Sequence, residues 1–214
     1  FPIFHLFVLW NVRTWWIMIF SIVHFQAWCF SSFENDIHLA QNLIVKNCNN
    51  SAIRLMDKWL QNPLTLNQKI ECLEVKKNAL FFNQEYAAFQ ETSRKLHQLE
   101  KPKKETAKHA LYLAEQAFFF HYLTWQDSVL LYMNECQNII EKNKLILQPN
   151  EGAFIHFMLA NFELYFGREN DAPIHEKRYF NIDQQFKIAI QYLHKPNLYH
   201  ARMLSVLYRS WGSR

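Results

Sequence analysis

With 214 residues, half of them hydrophobic and 16% aromatic, the chain has the apolar material for one packed domain and is not a disordered tail. Its formal charge of +4 is scattered, and the one small basic cluster, Lys101, Lys103 and Lys104 around Pro102, reads as a solvated connection rather than the broad stripe that nucleic acid requires. The only three glycines, Gly152, Gly167 and Gly212, stand apart, which excludes a glycine-rich phosphate loop and argues against the many tight turns of a sandwich or barrel.

The first 32 residues differ from the rest. Arg13 precedes an apolar run from Trp15 to Val23, and small residues follow at Ala27, Ser31 and Ser32. A basic start, a short apolar stretch and a small-residue zone form the order of a secretory signal, with a cut expected near Ser31 or Ser32. Leu6 to Trp10 would extend the stretch into a membrane anchor, but Arg13 would then sit within the span at a cost of several kcal/mol. A buried apolar helix is the third reading. Residues 1–32 are thus expected to be a signal peptide or membrane anchor, with membrane association through residues 1–30. The domain at 33–214 is expected to be periplasmic or secreted, or held at the inner membrane.

From about residue 35, apolar residues recur at intervals of three and four, as on a buried helical face. The stripes and the breakers between them predict helices over 35–48, 51–61, 65–82, 84–99, 104–122, 125–143, 151–166, 181–194 and 197–211. Asn62-Pro63, Lys101-Pro102, Gln148-Pro149, Ala172-Pro173 and Lys195-Pro196 supply the breaks. Thr65 with Gln68 fits a capping box, and Thr124 with Asp127 resembles one. No segment reads as a strand. Short connections make neighbouring helices antiparallel, so the expected fold is all-α, built of stacked antiparallel helix hairpins.

Several helices end in an aromatic residue and a small or polar corner: Phe82-Asn83, Tyr122-Leu123-Thr124, Phe166-Gly167 and Trp211-Gly212. A corner that recurs every 40 to 45 residues before another amphipathic helix is the mark of stacked hairpins. The step at 124–127 is therefore read as the bend inside one hairpin.

"WQDS" (Trp125 to Ser128), with Tyr132 and Glu135 at the spacings that follow, resembles the opening of a second helix in the tetratricopeptide-repeat family. "LYFGREN" (Leu164 to Asn170) and "LYRSWG" (Leu207 to Gly212) resemble ends of first helices, and "FFNQEYAAF" (Phe81 to Phe89) is a looser match. The resemblance covers residues 50–214 and is closest to the longer-period variant of large bacterial regulators. "RENDAPIHEKRY" (168–179) is expected to interrupt the third hairpin. The resemblance implies an α-solenoid that binds a protein or peptide partner or senses a ligand without catalysis. A sharper form makes the chain the extracytoplasmic input of a membrane-bound signalling protein with a diguanylate cyclase or histidine kinase output. No polar closing helix follows Trp211, so the repeat array is expected to continue beyond Arg214.

The chemistry-bearing residues form no catalytic pattern. Ten histidines are scattered, with no H-E-x-x-H, and the cysteines Cys29, Cys48, Cys72 and Cys136 contain no C-x-x-C pair, so neither a metal nor a cofactor is expected. A Cys48–Cys72 bridge stays open, beside the reading of each cysteine as a small buried hydrophobe. Phe118-Phe119-Phe120 with Tyr122 surround one helix, as expected of a helix buried among neighbours. The rival use of the aromatic excess is a groove for a partner's peptide or helix, and Tyr112, Tyr132, Phe154, Tyr165 and Tyr208 are the candidate lining.

Overall fold

The computed structural model describes residues 33–143, 145–166 and 175–193, with residues 202, 205, 206 and 209 beyond them; the side chains of 163–166 and 175–181 are not among those described. The described residues form helices and connections, with no strand. The helices are α1 (residues 33–45), α2 (Asn49–Leu60), α3 (Leu66–Phe82), α4 (Tyr86–Glu100), α5 (Ala107–Tyr122), α6 (Gln126–Asn143), α7 (Pro149–Phe166) and α8 (His175–Tyr192). Residues 1–32 and the 197–211 helix, apart from the four residues named, lie outside this description, as does Tyr208.

Capping chemistry sets several of these boundaries. The Thr65 side chain accepts from the Gln68 backbone N–H, and the Gln68 side chain accepts from the Thr65 N–H, so the predicted capping box opens α3. Thr106 opens α5 by accepting from His109 N. Thr124 does not open α6. It takes φ 62° and belongs to the end of α5, where its hydroxyl donates to the Leu123 carbonyl at 2.6 Å.

Three corners share one backbone design. Asn47, Gln84 and Thr124 each have φ 62°. Each donates its N–H to the carbonyl three residues back, and the next residue donates to the carbonyl five back, as in Cys48 N to Leu43 O (2.8 Å), Glu85 N to Leu80 O (3.0 Å) and Trp125 N to Phe120 O (3.0 Å). This is a Schellman ending. The residue after the left-handed one then accepts the first hydrogen bond of the following helix, from Ala52, Phe89 and Val129 respectively. The 35–48 helix is therefore corrected: it stops at residue 45 because the left-handed Asn47 turns the chain.

Side-chain contacts fix the directions. Asn83 Nδ2 donates to Asn50 Oδ1 while Lys76 meets Asp57, so α2 and α3 run antiparallel. Tyr86 meets Tyr122 while His97 meets His109, so α4 and α5 do too. Phe120 stacks on Tyr132 while Cys136 Sγ lies against Ala110 O, which sets α6 antiparallel to α5. Gly152 faces Tyr192 while Phe157 meets Phe186, which sets α8 antiparallel to α7. Helices α3 and α5, by contrast, run parallel: Lys77 pairs with Glu115 and Phe81 with Phe118, each partner nearly one hairpin further on. Phe118 repeats the step with Phe154 of α7. Two apolar clusters result. Phe33, Ile37, Ile44, Met56 and Cys72 anchor the first, at α1–α3. The larger runs from Leu80 to Leu193.

Helix α8 begins at His175, six residues before the predicted 181, so part of the 168–179 segment is helical rather than an interruption. Cys72 and Cys136 are buried and free, with burial pushing their thiols up to about 11 and about 12. Cys48 is exposed, at the first corner, and unbridged.

Candidate functional site

A cavity of about 280 Å³ opens between α3, α4, α5 and the beginning of α7. Side chains from all four helices line it, and Phe154 of α7 reaches both Phe81 of α3 and Phe118 of α5. Phe81, Phe89, Leu96 and Phe154 form its apolar base and are all buried. Phe81, Phe89, Phe118 and Phe154 touch in all six pairings, at centroid separations from 5.3 to 6.4 Å. Such edge-on and tilted ring contacts add to the burial of the rings themselves.

The polar wall is built from α3, α4 and α5. Lys77 Nζ lies 2.6 Å from Glu115 Oε1, with side-chain exposures of 12% and 6%. The Ser93 hydroxyl donates to the other Glu115 oxygen, so the buried carboxylate is satisfied twice. His97 continues the wall. Its ring stacks on Tyr112 at 3.9 Å, and its Nε2 lies 3.0 Å from His109 Nδ1. Burial holds both histidines below the ordinary imidazole pKa, and for His97 the neighbouring His109 adds to the effect. They are neutral at pH 7, which suits a shared imidazole hydrogen bond.

The mouth is acidic. Lys108 pairs with Glu100 and also feels Glu74 and Glu151. Glu151 accepts from Gln148 N at 2.8 Å, fixing the start of α7. The cavity lining holds four carboxylates, Glu74, Glu100, Glu115 and Glu151, against two lysines, Lys77 and Lys108.

Of the aromatic residues singled out in the sequence, Tyr112 and Phe154 meet at this cavity. Phe154 is 8% exposed and serves its base. Tyr132 is half-buried elsewhere, stacked on Phe120 at 5.4 Å between α5 and α6. Tyr165 is placed within α7, but its side chain lies outside the described residues, as does all of Tyr208. The polar members, Lys77, Ser93, His97 and Glu115, carry no local sequence signal, because their meeting depends on helix register across a hairpin.

Among the described residues no group of histidine, cysteine, aspartate or glutamate side chains is arranged to hold a metal ion. No helix among them is long and apolar enough to cross a membrane. Searches of family models, curated proteins and solved structures return no match to this chain.

Proposed function

We propose that residues 33–214 form a non-catalytic binding module, a tetratricopeptide-like stack of helix hairpins whose inner surface takes up a partner protein, peptide or small ligand. The observation that carries this reading is the triple recurrence of one corner, at Asn47, Gln84 and Thr124. Equivalent corners set successive hairpins in equivalent poses, so their first helices line up and present a continuous surface. The parallel Lys77–Glu115 and Phe81–Phe118 contacts fit that arrangement, and the 280 Å³ cavity takes lining residues from α3, α5 and α7 together with α4. Lys77, Glu115 and Ser93 are engaged with one another, and His97 with His109, so the polar wall is a set of fixed groups for a ligand to dock against.

The signal-like order of residues 13–32 supports an exported location as part of the proposal. A fusion to a reporter active only outside the cytoplasm tests it, and an inactive reporter in a stable fusion would remove it.

The binding role is tested by selecting a displayed peptide library on the purified chain. Enriched peptides are expected to lose binding to Tyr112→Ala and to Leu111→Asp variants whose circular dichroism matches the parent. Peptides that bind parent and variants alike would place recognition on another surface. A library that yields no enriched sequence would count against a peptide-binding module.

A further inference from the structure

We propose that the cavity between α3, α4, α5 and the start of α7 is a site for an organic cation, an ammonium or guanidinium group carried on an apolar body. The inference rests on the reading of this domain as a binding module and gives the inner surface a ligand class. Size comes first. About 280 Å³ is near the lower end of ligand cavities, which run from roughly 300 to 1,000 Å³, so it suits a small molecule or one side chain.

Chemistry divides the cavity into two zones. Phe81, Phe89, Leu96 and Phe154 offer an apolar base, which gains by covering hydrocarbon. The rim carries the charge. Lys77 is matched by Glu115 and Lys108 by Glu100. Glu74 and Glu151 remain as a two-charge excess in the lining, and both act on the Lys108 ammonium. These carboxylates favour the charged form of the Lys108 ammonium, as they would a ligand cation brought to the same rim. An anionic ligand would meet the excess unfavourably, and both lysines that could receive it are already held by carboxylates. An uncharged ligand would leave the negative excess of the lining uncompensated. His97, neutral at pH 7, adds no competing positive charge.

Binding of 2-phenylethylamine, 2-phenylethanol and 3-phenylpropionate to the full chain, followed by calorimetry or nuclear magnetic resonance, tests the proposal, because one ring carries three charges. The amine is expected to bind tightest and the carboxylate weakest, with the difference shrinking as salt is added. Glu74→Gln and Glu151→Gln should each weaken amine binding about two- to five-fold, the size of an exposed charge pair, while Lys108→Gln should strengthen it by a similar factor. All three positions are at the rim, and the Glu151→Gln amide oxygen can still accept from Gln148 N. Carboxylate binding equal to amine binding, no binding by the amine at millimolar concentration, or the same direction of change in all three variants would overturn the proposal. Nα-acetyl-lysine N-methylamide separates the sources of the cation. Tighter binding of this probe than of the free amine points to a partner's side chain, and tighter binding of the free amine to a small molecule; either order supports the site. Peptides enriched on a chain that ignores the amine would leave the module standing without this ligand class. Amine binding with no enriched peptide would leave the site standing without a peptide partner.

Discussion

Lys77 and Glu115 form an almost dry ion pair between α3 and α5, 2.6 Å apart, with the Ser93 hydroxyl on the second carboxylate oxygen. Removing one member of a buried pair strands the other without water. Lys77→Met or Glu115→Gln is therefore expected to cost about 3 kcal/mol in urea unfolding. Lys77→Met combined with Glu115→Leu should recover most of that loss, because neither charge is then left alone. Single variants within about 0.5 kcal/mol of the parent would mean that solvent already shields the pair.

The corners make a prediction of opposite sign. Gln84 and Thr124 hold a left-handed backbone that glycine adopts without a steric penalty. Gln84→Gly and Thr124→Gly should each stabilise the chain by about 0.5–1 kcal/mol, read as a higher urea midpoint at unchanged slope. Asn47→Gly should gain less or lose. Asparagine tolerates this conformation, and its side-chain oxygen accepts from Arg202 at 2.6 Å and from Asn49 at 3.5 Å.

Gly152 is needed for space rather than for backbone freedom. A Cβ there would lie 2.6 Å from the Tyr192 ring at the α7–α8 interface. Gly152→Ala should cost about 1–3 kcal/mol. Adding Tyr192→Leu should return part of it, and a double variant no more stable than Gly152→Ala would show that the clash is not with that ring.

Burial holds His97, His109, His121 and His156 below the ordinary imidazole pKa of about 6.5. Glu135 opposes the shift at His109, and Gln185 at His156, without reversing it. Below that value the unfolded chain binds more protons than the folded one, so stability falls as pH drops. This histidine contribution is intact above about pH 6.5 and is lost progressively on acidification towards the folded-state pKa values. Urea midpoints measured between pH 7.5 and 5 should decline below about 6.5, and a His97→Gln, His109→Gln double variant should flatten the decline. A midpoint that stays level would show that these rings are free to take up protons in the folded state.

Local chemistry explains what was readable in the sequence. Intervals of three and four placed α3 and α6 within a residue of their ends, because one apolar stripe per helix is enough for that inference. Thr65 and Gln68 announced the start of α3 through groups only three residues apart. The bend at 124–127 was legible from its polar residues, but the role of Thr124 was not. Without glycine at the left-handed position, an ending looks like a beginning, since threonine is also a good cap. The cavity was less visible still. Apolar spacing puts Phe154 on a buried stripe but does not say that Phe81 and Phe89 cover it. Lys77 and Glu115 stand 38 positions apart, and only the offset between parallel helices makes them neighbours.

Phe81 and Phe154 belong to hairpins separated by a third, α5–α6, yet their rings are 5.6 Å apart. In a simple linear array each unit touches only the next, so units can be gained or lost with little effect on those further away. Here an extra hairpin spliced after α6 would push α7 out of reach of α3 and pull the Phe knot open. Duplication within this stretch would therefore be selected against, and the middle of the chain should vary by substitution rather than by copy number.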